Sequence, residues 1–243
     1  MLTADLYRHP AAEPEGDPRP VIVAFHGANS SRGLYRKLGP VLRASLGVHV
    51  LAVDLRHGGP GHLWDRPTKK RYGIQNETWI SAQGQSTSRA ASLIDLQAGV
   101  RWARELFPDA PLITLGSFFS ATLVLFQAAD HADLVDGVIA CSPAAGYVKE
   151  LDVLGRVASL EVPTYILCTA SPKERHRAQV LVRAVTRRRV VETWFPGPEA
   201  GLTEHGSRTL LAEPAAQHQT LGGGVPRGRG RPQTRCGAPD PRR

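Results

Sequence analysis

Long apolar runs are missing from this sequence of 243 residues, and cysteine is scarce. No stretch approaches the roughly 20 consecutive apolar residues that span a bilayer, so we predict no membrane helix. Residues 1–20 contain no basic segment followed by an apolar one, so we predict no secretory signal. Cys141, Cys168 and Cys236 have neither paired nor metal-like spacing, and the first two lie in apolar runs. We therefore expect buried free thiols, no metal site and a cytoplasmic location.

Positive charge is concentrated near the C-terminus. The net charge is +8, and residues 222–243 hold six arginines against Asp240, which leaves the body only weakly basic. A weakly basic body gives little reason to expect nucleic-acid binding by the folded part. The C-terminal segment is also rich in glycine and proline and poor in large aliphatic residues, a composition typical of disorder. We predict one domain over residues 1–211 and a disordered tail over residues 212–243, and the sequence does not indicate an oligomeric state.

Apolar runs and helical patterns alternate along residues 20–210, which predicts an α/β fold with a mostly parallel sheet covered on both faces. Strands are predicted at residues 21–25, 48–53, 111–115, 135–141, 163–169 and 190–195. Helices are predicted at residues 31–46, 86–107, 121–129 and 173–185. The polar and glycine-rich segment 57–85 is long for a connection and is typical of a loop that covers a site.

The chain is organised around residues 111–124, PLITLGSFFSATLV. A short apolar strand runs into Gly116, and a helix-forming apolar series begins at Ala121, so the segment predicts a strand, a tight turn and a helix. The turn resembles the nucleophile elbow of α/β-hydrolases, G-x-S-x-G, in which the central residue occupies a strained turn. Here the turn reads Gly116-Ser117-Phe118-Phe119-Ser120, with phenylalanine at the position of the nucleophile.

Three further motifs occur in the order expected of the same family. HGAN at 26–29 follows a strand and resembles the oxyanion loop, and DLRHGG at 54–59 resembles the D-x-R-x-x-G motif that follows the next strand. EHGSR at 204–208 comes after the last strand and resembles the segment that carries the general base in dienelactone-hydrolase-like proteins. The resemblance covers about residues 20–210. It implies the α/β-hydrolase fold, here without recognisable first strands or a closing C-terminal helix.

The resemblance also implies roles for individual residues. Phe118 occupies the nucleophile position, and the backbone N–H groups of Ala28 and Phe119 would face the substrate oxygen. His205 would be the general base, because it follows the last strand in the order nucleophile, acid, histidine. Glu174 is the only candidate for the acid after strand 163–169, although an ordinary glutamate in the first turn of a helix explains it equally well. The family implies no cofactor and a small-molecule ester or acyl substrate.

Ser117 and Ser120 flank the turn residue and are expected to project away from the site. The leading hypothesis is therefore an α/β-hydrolase-family protein whose ancestral hydrolysis of esters, lactones or acyl compounds is lost or impaired. An alternative is a non-catalytic protein that binds a small apolar ligand in the same pocket, lined by Phe118. A further alternative is binding of nucleic acid or an acidic partner by the basic tail.

Overall fold

A seven-stranded sheet forms the centre of the protein, as seen in a computed structural model that describes residues 1–11, 17–57, 74–186, 190–195 and 205–212. The strand order is β1-β3-β2-β4-β5-β6-β7, and every neighbouring pair is parallel except β1 and β3. The strands are β1 Ala4–Tyr7, β2 Val21–Phe25, β3 His49–Val53, β4 Leu112–Ser117, β5 Gly137–Cys141, β6 Thr164–Leu167 and β7 Val191–Trp194. The predicted α/β class with a mostly parallel sheet is confirmed.

Seven α-helices accompany the strands in the described part of the chain. They are α1 Tyr35–Leu46, α2 Glu77–Ser81, α3 Leu93–Leu106, α4 Phe119–Asp130, α5 Val153–Val157, α6 Pro172–Ala184 and α7 Thr209–Ala212. Pro40 lies inside α1 without ending it. No helix in these described ranges is long and apolar enough to cross a membrane.

Both faces of the sheet are covered, which explains why β2 and β3 read as unbroken apolar runs. All five residues of each of these two strands are buried. One face packs against α1 and Leu210, whereas the other packs against α3, α4, α5 and α6. Cys141 and Cys168 are buried free thiols, as predicted, and burial raises the pKa of Cys168 to about 12.

Four elements were not predicted from the sequence, namely β1, α2, α5 and α7, and the short helix α7 lies where no closing C-terminal helix was expected. Strand β1 pairs antiparallel with β3, with Ala4 opposite Val53, so the sheet contains an edge strand that was not expected before residue 21. Helices α2 and α5 are five residues each and lack a long apolar repeat. The predicted long helix at 86–107 begins later, at Leu93, after a 3₁₀ turn at Ala90–Ser92. The predicted tail lies outside the described residues, apart from Ala212.

Parallel strands bring their carboxyl ends to one edge of the sheet, and ligand sites of α/β proteins form there. The segments that follow β2, β4, β5 and β6 all leave the sheet at this edge. They carry Ala28, Phe118 and Glu174, so this edge of the sheet holds the candidate functional site.

Candidate active site

The turn between β4 and α4 has the strained geometry expected of a nucleophile elbow. Phe118 has φ 58° and ψ −113°, a conformation that costs a bulky residue about 1–3 kcal/mol. The small residues beside it make the turn possible, because a β-carbon built on Gly116 would lie 2.5 Å from both Cα and N of Ala121. Strand and helix therefore approach as closely as the motif requires, although its central residue is not a nucleophile.

The ring of Phe118 lies between the two loops that would flank a substrate. A β-carbon built on Gly27 would lie 3.2 Å from Cδ2 of Phe118, and one built on Gly206 would lie 2.7 Å from Cε2. The same edge of the ring thus contacts both loops. The ring also makes an edge-to-face contact with Tyr147, with 6.3 Å between the centroids.

Both serines that flank Phe118 are buried and hydrogen-bonded to the backbone. Ser120 Oγ donates to the carbonyl oxygen of Phe25 at 2.8 Å and accepts from the N–H of Ser117 at 2.8 Å. Ser117 Oγ accepts from the N–H of Ser207 at 3.1 Å. This last bond joins the elbow to the segment that carries His205, so the structure brings the two regions together.

The loop after β2 is fixed by the buried ring of His26. Its Nε2 accepts from the N–H of Leu55 at 2.8 Å, so Nδ1 carries the proton and donates to the carbonyl oxygen of Gly27 at 2.8 Å. Nδ2 of Asn76 donates to the carbonyl oxygen of Ser30 in this loop at 3.0 Å and to that of Leu55, after β3, at 2.9 Å. His26 therefore has a structural role, and it holds the backbone next to Ala28 in place.

The two predicted oxyanion donors lie in different elements, Ala28 in the loop after β2 and Phe119 at the start of α4. Ala28 is half-buried, and the chain turns sharply after it because Asn29 has φ 55°. Phe119 is the first residue of α4, where a helix leaves backbone N–H groups without partners inside the helix. An N–H at a helix N-terminus is suited to a developing negative charge.

Glu174 and His205 are hydrogen-bonded to each other, 31 positions apart in the sequence. Nδ1 of His205 lies 2.7 Å from Oε1 of Glu174, and because a carboxylate only accepts, Nδ1 donates. The other carboxylate oxygen, Oε2, accepts from Ser142 Oγ at 2.8 Å and from Thr169 Oγ1 at 3.2 Å. The side chain of Glu174 is 12% exposed and that of His205 is 48% exposed. The arrangement is that of an oriented imidazole whose Nε2 is directed away from the acid.

Ser142 and Thr169 were not predicted from the sequence as site residues. Ser142 directly follows β5 and has φ 56°, so a non-glycine residue holds a left-handed conformation while its hydroxyl binds Glu174. The available signal was a small polar residue at the carboxyl end of a strand, in Ser142-Pro143. That signal is weak, because serine before proline is common in loops.

Asp54, the first residue of the D-x-R-x-x-G motif, is buried among donors. Its oxygens accept from the N–H of Arg32 at 2.6 Å, from Nη1 of Arg32 at 2.6 Å and from the N–H of Glu77 at 3.1 Å. Burial nevertheless raises the pKa of Asp54 to about 6. The arginine of the motif, Arg56, pairs with Asp95 through both carboxylate oxygens, and Gly59 lies outside the described residues. These residues fix the loop that follows β3.

The described residues contain no group of three or more histidine, cysteine, aspartate or glutamate side chains that could hold a metal ion. His57, which follows the D-x-R segment, instead donates from Nδ1 to the carbonyl oxygen of Thr87 at 2.9 Å and packs edge-on against Phe119. Burial lowers the pKa of His57, so its ring is neutral at pH 7.

Two arginines surround Tyr147 at the rim of the site. The guanidinium carbons of Arg89 and Arg177 lie 5.9 and 5.8 Å from the centroid of the tyrosine ring. Arg89 also donates to the carbonyl oxygen of Tyr147 at 3.1 Å. The aromatic wall next to Phe118 therefore has a cationic rim.

Comparison with known proteins identifies a family whose model covers most of the chain. A family model described as serine aminopeptidase, S33, matches residues 16–194. No curated protein matches the chain.

Several solved esterases share the fold at low sequence identity. An esterase of Pyrobaculum calidifontis has a TM-score of 0.61 and 14% identity, and the alignment covers 90% of this chain and 78% of that chain. Est1E from Butyrivibrio proteoclasticus, solved with ferulic acid, has a TM-score of 0.58 and 16% identity over 91% and 94% of the two chains. Dienelactone hydrolase from Anabaena variabilis has a TM-score of 0.57 and 12% identity over 81% and 80%. At these identities the similarity shows the fold alone.

Proposed function

Because the chain belongs to the S33 serine aminopeptidase family of α/β-hydrolases, we propose that it is an ester-hydrolase scaffold that has lost the serine-dependent reaction. The ancestral reaction would be hydrolysis of a small-molecule ester or acyl compound, without a cofactor. The observation that carries the proposal is the phenyl ring of Phe118 on the strained turn, where the family presents a hydroxyl group. A phenyl ring has no lone pair with which to attack a carbonyl carbon.

The rest of the catalytic arrangement supports the ancestral part of the proposal. His205 is assigned as the general base and Glu174 as the acid that orients it, on the strength of the 2.7 Å hydrogen bond between them. The N–H groups of Ala28 and Phe119 are assigned as the oxyanion donors. These roles follow from position in the fold and from the geometry of the pair.

Neither neighbouring serine is a suitable replacement nucleophile. Ser120 is completely buried and binds the carbonyl oxygen of Phe25, and Ser117 is 2% exposed. A serine acts as a nucleophile only when a general base accepts its proton and the substrate can reach its oxygen. Ser117 and Ser120 would need a rebuilt turn to meet both conditions.

Labelling with a serine-reactive fluorophosphonate tests the proposal. We expect no label on the wild-type protein and no burst of nitrophenol release from nitrophenyl acetate, because a burst reports an acyl-enzyme. The positive control is Phe118→Ser, which should be labelled at position 118. Labelling of the wild-type protein at Ser117 or Ser120 would overturn the proposal.

A second candidate function is non-catalytic binding of a small apolar ligand. The observation that favours it is the contact between the half-buried Phe118 ring and Tyr147, which gives the site an aromatic wall. Acetophenone, an apolar aromatic ketone that cannot be hydrolysed, should then raise the melting temperature in a saturable way, since a ligand that binds only the folded state stabilises it. The increase should disappear in Tyr147→Ala. The cytoplasmic location predicted from the sequence stays a prediction.

A further inference from the structure

Hydrogen bonds hold Glu174 and His205 in place although the elbow carries no nucleophile. Three donors hold the carboxylate of Glu174, namely Ser142, Thr169 and His205. Because Nδ1 of His205 donates to Glu174, the lone pair of the neutral imidazole is on Nε2. This atom has no hydrogen-bond partner among the residues that the structure describes, and 48% of the side chain is exposed. An oriented base is thus accessible to water.

The elbow offers this base no protein hydroxyl. Phe118 occupies the turn position, and the hydroxyl groups of Ser117 and Ser120 are bound to the backbone in the interior. Within the described part of the elbow no hydroxyl is available to Nε2, whereas water can reach an imidazole that is 48% exposed. The pair would otherwise have no function that the fold explains, since an exposed histidine bound to a glutamate contributes little to stability.

We infer that His205 is a general base that activates water directly, so that the protein slowly hydrolyses small activated esters without a covalent intermediate. The inference rests on the proposed loss of the serine reaction. The water oxygen bonds to the carbonyl carbon while a proton passes from water to Nε2, and the π electrons move to the carbonyl oxygen. The tetrahedral anion then expels the leaving oxygen with the electron pair of the broken bond, and the imidazolium releases its proton to that oxygen or to solvent.

Glu174 assists this reaction by stabilising the imidazolium that forms. General base catalysis by a positioned side chain contributes about 10² to 10⁴ in rate, far less than a complete triad. The expected activity is therefore weak, depends on His205 and favours esters with good leaving groups.

The test is steady-state hydrolysis of nitrophenyl acetate by the full chain, corrected for the rate in buffer. We expect His205→Ala and His205→Gln to lower the protein-dependent rate at least tenfold. His176→Ala is the matched control, because His176 is an exposed histidine on α6, the helix that carries Glu174, and this variant should keep the wild-type rate. The rate should fall in deuterium oxide, because a proton moves in the transition state.

Two results would overturn the inference while leaving the proposed function intact. One is a wild-type rate equal to that in buffer, and the other is an equal rate in wild type and both His205 variants, each without fluorophosphonate labelling. Labelling of a serine together with a burst of nitrophenol is a different result, because it would show a serine nucleophile and would overturn the proposed function itself.

Discussion

The two halves of the candidate site differ in what they could contribute to catalysis. At the elbow, the backbone keeps its strained conformation although its central side chain, Phe118, cannot perform the reaction. At the other half, Glu174 and His205, the proposed acid and base, are joined by a hydrogen bond. The difference shows that elbow geometry does not depend on the nucleophile. It depends on small neighbours, above all Gly116, next to which Ala121 leaves no room for a β-carbon.

The largest expected effect restores the chemistry of the elbow. Phe118→Ser places a hydroxyl on the turn and removes the ring that lies between Gly27 and Gly206, so ester turnover should rise, with the roughly 10⁶-fold contribution of the nucleophile in a complete triad as the upper limit. Nitrophenyl acetate hydrolysis measures the gain, and the added change His205→Ala should abolish it. A folded Phe118→Ser protein with wild-type turnover would mean that the two halves are not aligned for catalysis.

The second prediction breaks the elbow without touching the reacting groups. Gly116→Ala forces a β-carbon against the backbone of α4 and should lower the free energy of unfolding by about 3 kcal/mol. The matched control is Gly146→Ala, where an added β-carbon meets nothing within 4 Å. Urea unfolding of both variants gives the comparison. Equal stability would show that the elbow accommodates a β-carbon at residue 116, and that its geometry does not depend on a small neighbour there.

The third prediction concerns buried Asp54, which follows β3 and binds Arg32 in the segment after β2. Its pKa in the folded protein, about 6, is above the ordinary value of 3.8, so the folded state retains this proton to higher pH than the unfolded state. The contribution of protonated Asp54 to the free energy of unfolding is complete below about pH 4 and is lost as the pH rises through 6. Relative to Asp54→Asn, the wild-type protein should therefore lose about 2 to 3 kcal/mol between pH 4 and pH 7.

Urea unfolding of both proteins across this pH range measures the difference in their free energies of unfolding. The contributions of the other carboxylates cancel in this difference. A difference that stays flat or increases with pH would mean that the pairing with Arg32 outweighs the burial of the carboxylate.

Much of the sheet could be predicted from the sequence, because a strand buried on both faces leaves a continuous apolar run. β2 was predicted with its observed bounds, Val21–Phe25, and the strand, turn and helix around the elbow were predicted as well. Edge strand β1 was missed because it is only partly buried and contains Asp5 and the exposed Leu6, so it lacks such a run. α2 and α5 are too short for a helical repeat.

The site was less predictable for a physical reason. Chain order and motif wording indicated Phe118 and His205, but sequence alone could not decide whether Glu174 was an acid partner or a first-turn glutamate. Its contact with His205 depends on how β6 and the segment after β7 pack, which is a tertiary property. Tyr147 and Ser142 have no local motif, and they belong to the site only because β5 ends beside β4.

The smallest predicted effect separates the chemistry of Ser142 from its backbone strain. Ser142→Ala and Ser142→Gly both remove the hydroxyl that donates to Glu174, whereas only glycine adopts φ 56° without strain. Ser142→Gly should therefore be more stable than Ser142→Ala by about 1 kcal/mol in urea unfolding, since the left-handed conformation costs other residues that much. In the Phe118→Ser background both variants should lower ester turnover by the same few-fold factor, because Thr169 alone would then hold Oε2 of Glu174. If Ser142→Gly retains the turnover of its parent while Ser142→Ala loses it, backbone strain rather than the hydroxyl positions Glu174, and the acid half of the site depends on its turn as strongly as the elbow does.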